Sequence, residues 1–172
     1  MDEKRFWALI EAARAEMTPE LSNQAEVLKQ KLEALPPDEI VVFDRIFTRL
    51  RHEAHRWDLW AAAYIIEGGC SDDGFSDFTA GLIGFGREVY EAAVRDPNTL
   101  VRQPARGVDF SNEEMLYAAP QAYEAVTGEE MPDHGLPHPH EPAGERFDEA
   151  TVDQKYPELA AKFGTGRDRA DL

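Results

Sequence analysis

Asp58-Leu59-Trp60-Ala61-Ala62-Ala63-Tyr64-Ile65-Ile66-Glu67-Gly68-Gly69 is the stretch whose reading decides the fold. From Leu59 to Ile66 no side chain carries a charge, so a helix here has no polar face to offer water. A helix that is apolar all round must be surrounded by other elements, which places this one at the centre of the domain. Asp58 reads as its N-cap, because a carboxylate there can accept the first orphan N–H groups. Gly68-Gly69 closes it, since glycine takes the left-handed cap conformation without a Cβ clash. The run is far short of the ~20 apolar residues that span a bilayer.

Working back toward the N-terminus, Phe6, Ile10, Ala13 and Met17 recur at helical spacing and predict a helix from Asp2 to Glu16. Thr18-Pro19 ends it and starts the next, with Thr18 as N-cap and Pro19 at the first helical position. Leu21, Ala25, Leu28, Leu32 and Leu35 then form a narrow apolar seam that Pro36-Pro37 terminates. The third helix carries Ile40, Phe43, Phe47, Leu50, Ala54 and Trp57 on one face.

On the C-terminal side, Ser71 or Asp72 opens a fifth helix with Phe75, Phe78, Leu82 and Ile83, and a sixth runs from Arg87 to Val94. From Asp96 to Phe110 the pattern is that of an ordered loop. Ser111-Asn112-Glu113-Glu114 has the form of a capping box for a seventh helix ending at Gly128, which Pro120 should kink or split. Four prolines and two glycines between Met131 and Gly144 make an extended connector, and a last short helix spans Pro157 to Phe163. The expected fold is all-α: an irregular bundle of about seven or eight helices. Residues 1–128 form its core, 129–164 a Pro/His-rich connector with a short helix packing back, and 165–172 a frayed tail.

Composition sets limits on function. Lys and Arg number 18 against 34 Asp and Glu, a formal charge of −16 on 172 residues. That charge keeps the chain soluble and repels phosphate backbones, so nucleic acid is disfavoured as a partner. Cys70 is the single cysteine, which fits a reducing compartment. No signal-peptide pattern follows Met1, and the expectation is a cytoplasmic protein that meets no membrane.

The block Asp58 to Phe75 resembles the signature of the bacterial family called domain of unknown function 4240. Phe6-Trp7, Gly86-Arg87-Glu88-Val89 with Asp96-Pro97, and Tyr156-Pro157 with Lys162-Phe163 add to the resemblance. It implies a helical fold and an actinobacterial origin, and no activity. It also implies Arg and Trp where this chain has Thr79 and Gly81, and a Trp where it has Ala160. A void beside Gly81, or an aromatic such as Phe85 or Phe163 leaning into that space, is therefore expected.

Several residues could do chemistry, each with a plainer reading beside it. Asp72 and Asp73 follow a double glycine at a helix start: a carboxylate pair for metal or acid–base work, or a cap and a dipole partner. Arg45, Arg49, His52 and Arg56 are spaced by four, three and four, so they form one basic stripe that invites an anion or faces water. His134, His138 and His140 in the connector are weak metal candidates, as are His52 and His55, three apart. Cys70 near a helix start would be favoured as a thiolate, or is a small buried hydrophobe. Walker, dinucleotide and nucleophile-elbow fingerprints are absent, so no cofactor is implied.

Three functions remain. The first is a non-catalytic interaction module that meets a protein partner near the Gly69–Phe75 corner. The second is a small-molecule or metal-binding protein, or an enzyme, using Asp72, Asp73 and the basic stripe. The third is an acidic inhibitor that imitates DNA. A deep polar pocket at the corner favours the second, and a continuous carboxylate surface the third.

Overall fold

The computed structural model describes residues 1–17, 23–105 and 109–164. Among them the chain is all-α: α1 Glu3–Ala15, α2 Gln24–Glu33, α3 Pro37–Glu53, α4 Trp57–Glu67, α5 Asp72–Gly84, α6 Arg87–Arg95, α7 Ala118–Thr127, α8 Val152–Lys155 and α9 Pro157–Phe163. Single 3-10 segments, Pro97–Arg102 and Glu113–Leu116, interrupt the stretch between α6 and α7. The described residues contain no helix long and apolar enough to cross a membrane.

The charge-free run forms α4, and Leu59, Trp60, Ala61, Ala62, Ala63 and Ile65 are buried in it. Three consecutive alanines let neighbours approach closely, and α5, α8, α9 and the Pro97–Arg102 turn all pack on it. Tyr64 is only half-buried, because its hydroxyl donates to Glu149 at 3.0 Å. On the other side α2, α3 and α7 pack together, and α1 closes against α2. Phe6, Phe43, Phe75 and Phe78 are fully withdrawn from water. Burial of each such side chain contributes ~1.5–3 kcal/mol, so these rings set the arrangement of helices. Tyr90 of α6 donates its hydroxyl proton to the Leu50 carbonyl of α3 at 2.7 Å, a buried tie between two helices.

Element boundaries differ from the sequence expectation where a side chain found a better partner. Asp58 is not the N-cap of α4; Arg56 holds that position and grips the Asp58 carboxylate through Nε and Nη2 at 3.0 and 2.9 Å. The third helix ends at Glu53, so Ala54 is its C-cap and Trp57 begins α4. Asn23 caps α2 by accepting from the Ala25 N–H, while the Thr18-Pro19 start and Leu21 lie outside the described residues, as does the tail 165–172.

The capping box does not form either. Ser111 donates its N–H to Asp109 and its hydroxyl to Glu67, and Glu113–Leu116 winds as a 3-10 turn with no side-chain cap. The helix resumes at Ala118, so Pro120 falls in the first turn of α7, where its missing N–H costs nothing. Gly68 and Gly128 take left-handed caps, each at φ 73°.

Gly81 is a crossing point. A Cβ there would stand 2.1 Å from the Phe110 carbonyl oxygen, so the backbone of 110–112 occupies the space a side chain would need. The ring of Phe110 stacks on Phe85 at 5.2 Å and meets Phe163 edge-on at 5.8 Å.

Candidate ligand-binding cleft

The C-terminal turn of α3 ends in Arg51 and His52, where the helix dipole favours cations. His55 follows in the short link to α4. The connector returns to this point as extended chain: Trp57 N–H donates to the Ala143 carbonyl and Ala143 N–H to the His55 carbonyl, each at 2.9 Å. This isolated parallel bridge between Arg56 and Ala143 fixes the connector against the α3–α4 junction. It brings His138, Pro139, His140 and Pro142 opposite the helices.

The third wall is the first turn of α5. Gly68, at φ 73°, and Gly69, at φ 137°, turn the chain out of α4, and Gly69 N–H donates back to the Tyr64 carbonyl. Ser71 then caps α5 by accepting from Gly74 N–H at 3.2 Å. Asp72 is therefore the first helical residue and not the cap. Asp72 and Asp73 stand exposed at the mouth, while Phe75, Ser76 and Thr79 face inward.

Together these segments enclose a cleft of about 590 Å³. Arg51 lies at its inner wall. It donates from Nη2 to Ser76 Oγ at 2.6 Å, while its Nε is buried with no hydrogen-bond partner. Burial pulls this guanidinium below its ordinary value, against the fields of Asp44 and Asp77. The His138 ring lies 5.3 Å from that of His52 and 6.1 Å from that of His55. Burial pushes His52 down, and His138, Arg51, His134 and His55 push it further. His55 is also lowered, by burial and then His138, with Asp72 opposing.

Trp57, Trp60 and Phe75 line the remaining side, and a column of rings runs from them into the core. Trp57 stacks on Trp60 at 5.2 Å, Trp60 on Phe75 at 4.7 Å and 9°, and Phe75 on Phe78 at 6.4 Å. The Trp60 indole N–H is occupied by the Cys70 carbonyl at 3.0 Å.

The sequence candidates fall into two groups. Asp72, Asp73, His52, His138 and His140 converge on this cleft, drawn from α3, α5 and the connector. Arg45, Arg49 and Arg56 do not line it. The basic stripe breaks because α3 stops before Arg56, which pairs with Asp58. Arg49 is held by Glu3 and Glu53, and Arg45 faces solvent. His134 sits behind the wall with its Nε2 3.8 Å from Asp44. Among the described residues no group of three or more His, Cys, Asp or Glu has an arrangement that could hold a metal ion.

Cys70 is not a thiolate: burial, with Glu67, Asp77 and Asp72 nearby, pushes its thiol up to about 12. Arg51 and Ser76 were missed by the sequence reading. The available signal was Asp44, Phe47 and Arg51, spaced by three and four, which puts a charged pair on an apolar seam.

Residues 1–125 of the 172 match a family model described as "Protein of unknown function (DUF4240)". No curated protein and no solved structure matches the chain. The chain belongs to the DUF4240 family. Arg51, His52, His55 and the first turn of α5 lie within the matched region, and the connector wall lies beyond it.

Proposed function

We propose that this DUF4240 protein is a small-molecule-binding protein whose ligand occupies the cleft at the Gly69–Phe75 corner. One observation carries the reading: Arg51, His52, His55, Asp72, Asp73 and His138, drawn from separate segments of the chain, line one concave space. Polar groups from four segments converge there over an aromatic wall, which is the usual make-up of a ligand site. The corner is concave and polar, whereas a protein-docking surface is more often a broad face with an apolar centre. The chain's charge of −16 argues against nucleic acid as the ligand, and we place the protein in the cytoplasm, where a half-buried thiol needs no oxidising surroundings.

The test is a thermal-shift screen of a small-metabolite library against the parent and Asp73→Trp, in which an exposed residue at the mouth becomes a plug. Compounds that raise the Tm of the parent and not of the variant support the reading. A library that stabilises neither overturns it and returns the protein-interaction module to first place.

A further inference from the structure

We infer that the cleft, on whose reading as a ligand site this rests, receives a tetrahedral oxyanion group, a phosphate or its monoester, held between Arg51 and the imidazoles of His52, His55 and His138. The imidazoles come from two separated stretches of chain and meet within 5.3 and 6.1 Å. Beyond burial, the groups that lower His52 are all basic: His138 and His134 from the connector, Arg51 beside it on α3, and His55 beyond the helix end. Facing His55 are His138, Arg51 and, from α5, the exposed Asp72. Donors thus gather on the inner side of the cleft and carboxylates stand at its mouth.

An oxyanion fits that polarity. A guanidinium and imidazoles supply the charge-assisted N–H donors that phosphoryl oxygens accept, and Arg51, His52, His55 and His138 all line the cleft. A cation on the inner side of the cleft would be repelled by the Arg51 guanidinium. Asp72 and Asp73 at the rim then suit hydroxyl or amine groups on the outward part of an ester.

Proton linkage gives the site a signature. In the free protein burial and repulsion from neighbouring basic groups lower both His52 and His55, with Asp72 opposing at His55. An anion among them reverses the repulsion, so binding takes up protons and strengthens as pH falls.

The experiment follows the imidazole resonances by NMR from pH 5 to 8 in sodium sulfate and in sodium chloride at equal ionic strength. Sulfate keeps its charge over this range, so only the protein titrates. The expected result is a rise of about one unit in the pKa of His52 and His55 in sulfate, with sulfate bound about tenfold more tightly at pH 5.5 than at 7.5. R51Q should lose the effect. H138Q, at an exposed position that cannot unfold the chain, should weaken sulfate about tenfold. Phenyl phosphate binding more tightly than inorganic phosphate assigns the site to esters, and equal binding assigns it to the free ion. Identical imidazole titrations in the two salts overturn the inference. If uncharged compounds meanwhile stabilise the parent and not Asp73→Trp, the cleft is a ligand site of another class, and only the oxyanion falls.

Discussion

The Asp44 carboxylate of α3 lies 3.8 Å from His134 Nε2 on the connector, behind the wall of the cleft, and is only 9% exposed. Burial pushes Asp44 up from its ordinary value, and the opposing pulls of His134 and Arg51 do not fully offset it. A carboxyl whose folded pKa is raised holds more protons in the folded state just above its unfolded value. Its contribution is therefore present in acid and lost as pH rises. Asp44→Asn should be more stable than the parent at pH 7, with the gain vanishing below about pH 4. Denaturant melts at the two pH values read this directly, and a loss at pH 7 would mean the His134 contact outweighs burial.

The imidazoles act with the opposite sign. His52 and His55 have folded pKa values below their unfolded ones, so the unfolded chain binds more protons in that window. In the absence of ligand, stability should be full above about pH 6.5 and fall as pH drops through the window below it. His52→Gln and His55→Gln should each flatten that slope in urea titrations between pH 5 and 7.

Trp60 stacks on Trp57 and on Phe75, and its indole N–H donates to the Cys70 carbonyl, so its removal opens a gap among packed rings. Trp60→Ala should cost ~3–5 kcal/mol. A cost under ~1 kcal/mol, typical of surface positions, would place α4 outside the core.

Ser71, and not Asp72, caps α5, accepting from the N–H of Gly74, the third helical residue. Ser71→Ala should lose ~0.5–2 kcal/mol, with Ser71→Asp restoring most of it. Asp72→Ala should lose only the dipole contribution, ~0.3–1 kcal/mol. Equal losses for the two alanine variants would return the cap to Asp72.

At Gly81 two effects compete. Alanine in a helix interior is favoured over glycine by ~1 kcal/mol. Its Cβ, however, would meet a backbone oxygen at 2.1 Å, and backbone cannot swing aside as a flexible side chain can. The clash wins, and Gly81→Ala should lower stability by ~1–3 kcal/mol. A stabilised variant would show that residues 109–112 move at little cost.

What could be read beforehand was local. The charge-free run of α4, the left-handed caps at Gly68 and Gly128, the break before Pro120 and the span Pro157 to Phe163 each rest on residues close in sequence. The misreadings came where a side chain had a choice of partners. Asp58 gave up its cap for the Arg56 guanidinium, and Ser111 turned to Glu67 instead of its own helix. Half of the cleft was visible as Asp72, Asp73, His52 and His138, but not that they share one space. Their meeting depends on a backbone bridge between Arg56 and Ala143, and backbone pairing of an irregular segment leaves no periodicity to find.

That bridge also divides the molecule in time. The connector is stitched on by a few peptide hydrogen bonds, each worth only ~1 kcal/mol net, whereas α4 is locked in by buried rings and alanines. Amide protons in the buried middle of α4 will exchange with solvent deuterium through global opening. The Ala143 proton, and that of Trp57 at the very start of α4, will exchange through a far smaller event that leaves the bundle whole. Their exchange rates are a clock for the cleft wall alone, and any molecule that bridges helices and connector must slow it.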